Sequence, residues 1–311
     1  MAQDITITLD DGSQVCGRLH GPKGAPVVVV LGGISAGRAV ATDGSGAPGW
    51  WPALVGHGRA VDLDHVAVLG MDYGPGDGND CSGDPITTAD QAARLKALLD
   101  HLGTGQAAAV IGASYGGMVA LAFARDFPDR VQQICLISAA HQPAAMGAAW
   151  RGIQRRMVRF AIACGRPEEG MKLARELAMT SYRTAQEFEQ RFTGAVSASA
   201  PLRLDICDYL HACGAKFART MPAQRFLALS ESIDLHRIAP ETVHTPALLI
   251  ASRHDLLAPP AQMQALRRRL GGPARLVIIE SPYGHDAFLK ETGQIGALLR
   301  QFVKEKHHAT A

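Results

Sequence analysis

The stretch that most restricts how this chain can fold is Gly112-Ala113-Ser114-Tyr115-Gly116, set between an apolar run, Ala107 to Ile111, and a helical pattern, Met118 to Phe127. A serine flanked by small residues at the join of strand and helix fits a sharp elbow. Only glycine-sized neighbours avoid clashes there, and the strained backbone pushes the hydroxyl out over the sheet edge. The alternative is a Gly-rich turn whose serine merely caps the helix. The strand-turn-helix context and the partners found downstream favour the elbow.

The chain around it alternates. Ile5 to Leu9 and Val15 to Leu19 flank Asp10-Asp11-Gly12-Ser13 as an opening hairpin. Pro26 to Leu31 is short, β-branched and wholly apolar, as expected of a strand buried on both faces of a parallel sheet. It ends in Gly32-Gly33, where backbone N–H groups can point into a site; with the N–H of Tyr115 these glycines are the expected oxyanion donors. After the Gly/Ala/Ser-rich stretch Arg38 to Trp51, Val66 to Met71 reads as a strand and Asp72 to Pro85 as a long loop. Thr88-Ala89-Asp90-Gln91 reads as a capping box opening a helix with Leu95, Leu98, Leu99 and Leu102 on one face. Val131 to Ser138, Ala247 to Ala251 and Leu276 to Ile279 complete the strands, and a final helix carries Ile295, Leu298, Leu299 and Phe302. This is the pattern of a mostly parallel, doubly wound α/β sheet.

The rhythm changes after His141. Between Trp150 and about Ser232 the periodicity predicts helices near 151–164, 168–182, 184–192 (opened by Thr184 and Glu187), 206–219 and 224–233, with no strand. Such a block reads as an all-helical cap inserted over the strand ends. The expected division is 1–145 for the first part of the core, 146–235 for the cap and 236–311 for the second part of the core.

A serine hydroxyl needs a base to take its proton and a third group to orient that base. Asp255 lies just past the strand 247–251, and His285 just past the strand 276–279. The order Ser114, Asp255, His285, each after a strand, suits this architecture, whose ligands bind at the carboxyl edge of the sheet. His254 is adjacent to Asp255, but neighbours in an extended loop point apart.

Composition narrows the classes. In 311 residues, 31 Lys plus Arg against 29 Asp plus Glu leave +2, too balanced for an electrostatic nucleic-acid binder. The longest apolar run, Ala25 to Leu31, is far short of the ~20 residues of a membrane span. Met1-Ala2-Gln3-Asp4 has no secretory character. Cys16, Cys81, Cys135, Cys164, Cys207 and Cys213 are scattered, so free thiols in a reducing cytoplasm are expected, with no disulfide and no metal site. His307-His308 reads as a solvated end.

Three further stretches, taken with the elbow, sharpen this. Gly49-Trp50-Trp51, Gly112 to Met118, Leu173-Ala174-Arg175-Glu176-Leu177-Ala178-Met179-Thr180-Ser181-Tyr182-Arg183 and Tyr283-Gly284-His285-Asp286-Ala287-Phe288-Leu289 together resemble the homoserine O-acyltransferase family, from about Val27 to Leu299. The resemblance implies an α/β-hydrolase fold with a helical cap and a homodimer paired through the caps. It implies transfer of an acetyl or succinyl group from coenzyme A, a co-substrate rather than a bound cofactor, to L-homoserine in methionine biosynthesis. It also implies Ser114 as acyl carrier, His285 as base, Asp255 as its orienter, and Arg175, Tyr182 and Asp286 as substrate-binding residues. The residue types agree: an arginine fork suits an α-carboxylate, an aspartate suits an α-ammonium group, and Arg175 and Tyr182, seven apart, share a helix face.

The segment Met71 to Asp77 and the amino-terminal region are shorter than in the acetyl-using branch, which tilts the donor slightly toward succinyl-coenzyme A. Arg151, Arg155 and Arg159, at i, i+4 and i+8, could meet coenzyme A phosphates or a succinyl carboxylate, with a solvated basic face the favoured reading. Arg267-Arg268-Arg269 closes a helix. Other readings are a serine hydrolase, a non-catalytic binding module, and an acyltransferase acting on serine or another small hydroxy-amine.

Overall fold

The computed structural model describes residues 2–76, 85–196 and 203–304. Cys81, His307, His308 and most of the loop between Met71 and Pro85 lie outside them. In chain order the strands are β1 (Ala2–Thr8), β2 (Gln14–His20), β3 (Val27–Leu31), β4 (Val55–Gly56), β5 (Val61–Asp62), β6 (Ala67–Met71), β7 (Ala109–Ala113), β8 (Ile134–Ile137), β9 (Ala247–Ser252) and β10 (Ala274–Ile279). Eight of them form one sheet in the order β1-β2-β6-β3-β7-β8-β9-β10, and β4 with β5 makes a separate pair. The β1–β2 hairpin and the β2–β6 contact are antiparallel; from β6 to β10 every neighbour is parallel.

The central strands are apolar because both faces are covered. Val29 and Leu31 of β3 pack into one core with α1 (Thr88–His101) and α2 (Tyr115–Asp126). Val28 and Val30 pack into the opposite core, with Trp51, Leu54 and the last helix. Successive side chains on a strand point to opposite faces, so a continuous apolar run is what a buried strand requires.

Between β8 and β9 the chain forms five helices, α3 (Ala145–Ala163), α4 (Pro167–Tyr182), α5 (Ala185–Arg191), α6 (Asp205–Ala218) and α7 (Ala223–Leu235). Val158, Met171, Ala174, Phe217, Met221, Phe226 and Leu227 give them an apolar cluster of their own. The one strand-like pairing there, among the described residues, is an isolated antiparallel bridge between Val196 and Leu204. After β9 come α8 (Pro260–Arg269), the short α9 (Ala287–Lys290) and α10 (Thr292–Lys304). Arg267 to Arg269 close α8, and Arg269 also meets Glu241 at 2.7 Å.

Two local expectations are corrected. The first helix is capped by Thr87, not Thr88: the Thr87 hydroxyl accepts from the Asp90 N–H at 3.2 Å, and the Thr87 N–H donates to the Asp90 carboxylate at 2.7 Å. Gln91 cannot serve the cap because it is buried and exchanges two hydrogen bonds with the Gly74 backbone. The row Arg151, Arg155 and Arg159 is a solvated face only at its far end, where Arg159 is exposed. It packs on α7, where Arg151 donates to Asp234 at 2.6 Å, Arg155 to Ser230 Oγ at 2.9 Å and Arg159 to Glu231.

Candidate active site

Ser114 stands between β7 and α2 with φ 55° and ψ −122°, a left-handed backbone that a side chain adopts only when its surroundings enforce it. The glycines explain how. A Cβ on Gly112 would lie 2.2 Å from the Gly116 carbonyl oxygen, and one on Gly116 would lie 2.4 Å from that of Leu31. The turn closes only with glycine at both positions, and it holds the hydroxyl at the carboxyl edge of the sheet.

Asp255 and His285 arrive from the loops after β9 and β10. The Ser114 hydroxyl lies 2.8 Å from His285 Nε2, and His285 Nδ1 lies 3.0 and 2.9 Å from the two Asp255 oxygens. A carboxylate can only accept, so Nδ1 carries the proton and Nε2 is free to accept from the serine. The N–H groups of Leu257 and Ala258 donate to Asp255 at 2.8 and 2.9 Å. His254, by contrast, is exposed.

Burial normally disfavours a charged histidine. It pushes the pKa of His236, whose Nδ1 meets the Thr88 hydroxyl at 2.8 Å, down to about 3. His285 is opposed by burial too, yet the Asp255 carboxylate outweighs it and raises its pKa above the ordinary 6.5. Burial works to raise the pKa of Asp255 in turn, but His285 and the two backbone donors hold it below the usual carboxylate value.

The glycine pair after β3 divides its work. The Gly32 carbonyl accepts from the Gly116 N–H at 2.9 Å and from the Tyr73 hydroxyl at 2.7 Å, so it points into the protein. Across a trans peptide the N–H points the opposite way, which turns that of Gly33 outward. A Cβ on Gly33 would lie 4.0 Å from that of Ser114. Gly33, Ile34 and Tyr115 therefore border the serine, and none of their N–H groups is bonded among the described residues. The Gly32 carbonyl thereby anchors this loop.

A cavity of about 240 Å³ opens above Ser114. His285 and Trp50 line its floor, while Arg151, Gln154, Arg175 and Tyr182 reach it from α3 and α4. Arg175 lies between the rings of Tyr182 and Phe217, 5.3 and 5.1 Å from their centroids, and no carboxylate pairs with it among the described residues. Tyr182 packs 5.7 Å from the His285 ring, and burial raises its phenol pKa, so it is a neutral donor. Asp286 also lines the cavity, with Oδ2 accepting from Arg183 at 2.8 Å. All the sequence-identified side chains thus meet here, Asp255 from behind His285.

Two motifs that looked independent in sequence touch. Trp51 Nε1 donates to the Phe288 carbonyl oxygen at 2.9 Å, and Trp50 stacks on Trp51 with centroids 5.0 Å apart. The tryptophan pair therefore braces the loop that carries His285. Sequence reasoning passed over Arg183 and Gln154. Gln154 is buried and faces the cavity from the turn between Arg151 and Arg155, a position that its helical spacing alone could have marked. Among the described residues no cluster of His, Cys, Asp or Glu could hold a metal, and no helix is long and apolar enough to cross a membrane.

Known proteins share both fold and sequence. The family model described as alpha/beta hydrolase fold matches residues 26–292. A homoserine O-succinyltransferase of Xanthomonas campestris pv. campestris is 42% identical over 283 residues, covering 90% of this chain and 76% of that protein. A homoserine O-acetyltransferase of Thermus thermophilus is 35% identical, covering 83% and 73%. The crystal structure of esterase E22 superposes with a TM-score of 0.83 at 22% identity, covering 98% of this chain and 99% of that one, a likeness of fold alone. By sequence and by fold, this chain belongs to the homoserine O-acyltransferase family within the α/β-hydrolase fold.

Proposed function

We propose that the protein is an acyl-coenzyme A:L-homoserine O-acyltransferase of methionine biosynthesis, working through an acyl-serine, with succinyl-coenzyme A favoured slightly over acetyl-coenzyme A. The observation that carries this is the hydrogen-bonded chain Ser114–His285–Asp255 beneath a cavity that offers an uncompensated arginine, Arg175, and a carboxylate, Asp286. Those two charges are the complement of an amino acid's own.

His285 takes the Ser114 proton as the oxygen attacks the thioester carbonyl carbon. The N–H groups of Tyr115 and of the Gly33–Ile34 turn receive the oxyanion. The C–S bond breaks, His285 returns the proton to the departing thiolate, and the acyl group stays on Ser114. The homoserine hydroxyl then gives its proton to His285 and attacks the ester. Collapse of the second tetrahedral adduct restores Ser114 and releases O-acylhomoserine. Asp255 holds the ring in the required tautomer throughout.

The donor preference is supported by Arg151 and Gln154, which reach the cavity wall and can receive a second carboxylate. An acetyl group needs neither. The helices α3 to α7, 146–235, act as the cap. Met146, Ile153 and Phe160, seven residues apart on α3 and all exposed, support pairing of two caps in a homodimer. The five described cysteines are unpaired, which fits a reducing cytoplasm.

Competing succinyl- and acetyl-coenzyme A against homoserine, with intact protein and products weighed by mass, tests each layer. We expect acyl-Ser114 before acceptor is added and succinylhomoserine as the larger product. Acetylhomoserine in excess would replace the donor. A higher kcat/KM for serine would replace the acceptor. Acid release unaffected by homoserine would make the protein a hydrolase.

A further inference from the structure

The cap places a buried arginine against the loop of the base that none of the roles above includes. Arg183 follows Tyr182 at the end of α4 and is 8% exposed. Its Nε donates to Asp286 Oδ2 at 2.8 Å and its Nη1 to Glu187 Oε1 at 3.1 Å, while the guanidinium lies 5.8 Å from the Tyr283 ring centroid. Glu187 is buried as well, and Arg191 reaches the same oxygen at 3.4 Å. Around this pair the corner between α4 and α5 is fastened to the loop of the base. Thr184 Oγ1 donates to the Pro282 carbonyl oxygen, and a Cβ on Gly284 would lie 2.9 Å from that of Tyr182.

Buried ion pairs are poor evidence for stability, because lost hydration offsets the attraction. Geometry is the better explanation for this one. The planar guanidinium holds two carboxylates at fixed angles, which a lysine cannot do. It occupies one oxygen of Asp286, and a carboxylate has lone pairs to spare on the other. Asp286 shares the cavity with Arg175, so an acceptor held by both must find the aspartate at a set position.

We infer that Arg183 is a positioning residue for the acceptor: it pins the Asp286 carboxylate so that the second oxygen receives the α-ammonium group, and Glu187 in turn holds Arg183. This rests on the acyl-transfer reading, and on Asp286 taking the amine. Arg183 meets neither the acyl donor nor the reacting atoms.

Two half-reactions separate this role from a structural one. Coenzyme A release on forming acyl-Ser114, without acceptor, reports acylation; kcat/KM for homoserine reports the acceptor step. In Arg183→Gln we expect acylation within about threefold of wild type, and kcat/KM for homoserine lower by roughly 10- to 100-fold, carried by KM. Arg183→Lys, which keeps the buried charge and so protects the fold, follows the same pattern to a smaller extent. In an Asp286→Asn background Arg183→Gln costs nothing more, because the partner it positions is gone. Equal losses in both steps, losses that add in the double variant, or a lysine variant equal to wild type would each overturn the inference. A wild-type protein that never forms acyl-Ser114 overturns the transfer reading itself, and this inference with it.

Discussion

The floor and the roof of the cavity are built from different material. On the floor, Ser114, Asp255 and His285 stand on turns at the ends of β7, β9 and β10; backbone groups hold Ser114 and Asp255, and these two hold His285. On the roof, Arg151, Gln154, Arg175 and Tyr182 project from α3 and α4, whose apolar cluster is separate from the two that sandwich the sheet. A floor of this kind performs acyl chemistry on any ester or thioester that reaches it, which is why an esterase can share the fold. In the proposed reaction, selection among donors and acceptors falls to the roof. Substitutions on the floor should lower every activity together, whereas substitutions on the roof should change ratios.

The largest effect is expected at the floor. Ser114→Ala should lower transfer by on the order of 10⁶, and Asp255→Asn by about 10⁴, for every donor and acceptor alike. Rates of coenzyme A release and of product formation check this together. A variant that lost one donor only would erase the division between floor and roof.

Next comes the acceptor side of the roof. Arg175→Met removes the cation with no carboxylate of its own, and kcat/KM for homoserine should fall roughly 100-fold, about 3 kcal/mol, while acylation of Ser114 is unchanged. Single-turnover acylation beside steady-state transfer reads both. A matching fall in acylation would mean that Arg175 shapes the floor.

The donor side should be milder. Arg151→Leu should lower the ratio of succinyl to acetyl transfer by about tenfold, because Arg151 already shares its charge with Asp234. An unchanged ratio would remove Arg151 from donor choice.

The smallest shift is in pH. The base must be neutral to act, and its pKa lies above 6.5 because Asp255 favours the charged ring against the effect of burial. Acylation should therefore rise with pH and level off only beyond a midpoint above 6.5. The residual rate of Asp255→Asn should show a lower midpoint, since the charge that raises it is gone. A midpoint unmoved by that substitution would show that Asp255 does not set the charge of the ring.

Legibility differed between the two regions for a physical reason. Parallel strands buried on both faces must be continuous apolar runs, and the strand-end turns must carry glycine where backbones nearly touch, so Gly112 and Gly116 announced Ser114 directly. Helix boundaries were looser. The capping box slipped from Thr88 to Thr87 because Gln91 was drawn into the core by Gly74, a partner far away in sequence. Arg151 and Arg155 looked solvated like Arg159 because a single helix carries no record of the helix lying across it.

Sequence by itself determined the α/β class, the elbow, the order of Ser114, Asp255 and His285, and the family. These follow from short-range sterics, from hydrophobic period and from residue types at strand ends, all of which are local. Tertiary structure alone decided which arginine stays without a carboxylate, which one pins Asp286, and that the Gly32 carbonyl turns inward to leave Gly33 facing the serine. The last two depend on partners tens of residues away or more, and the first on which carboxylates the fold keeps away, none of which leaves a trace in spacing or composition.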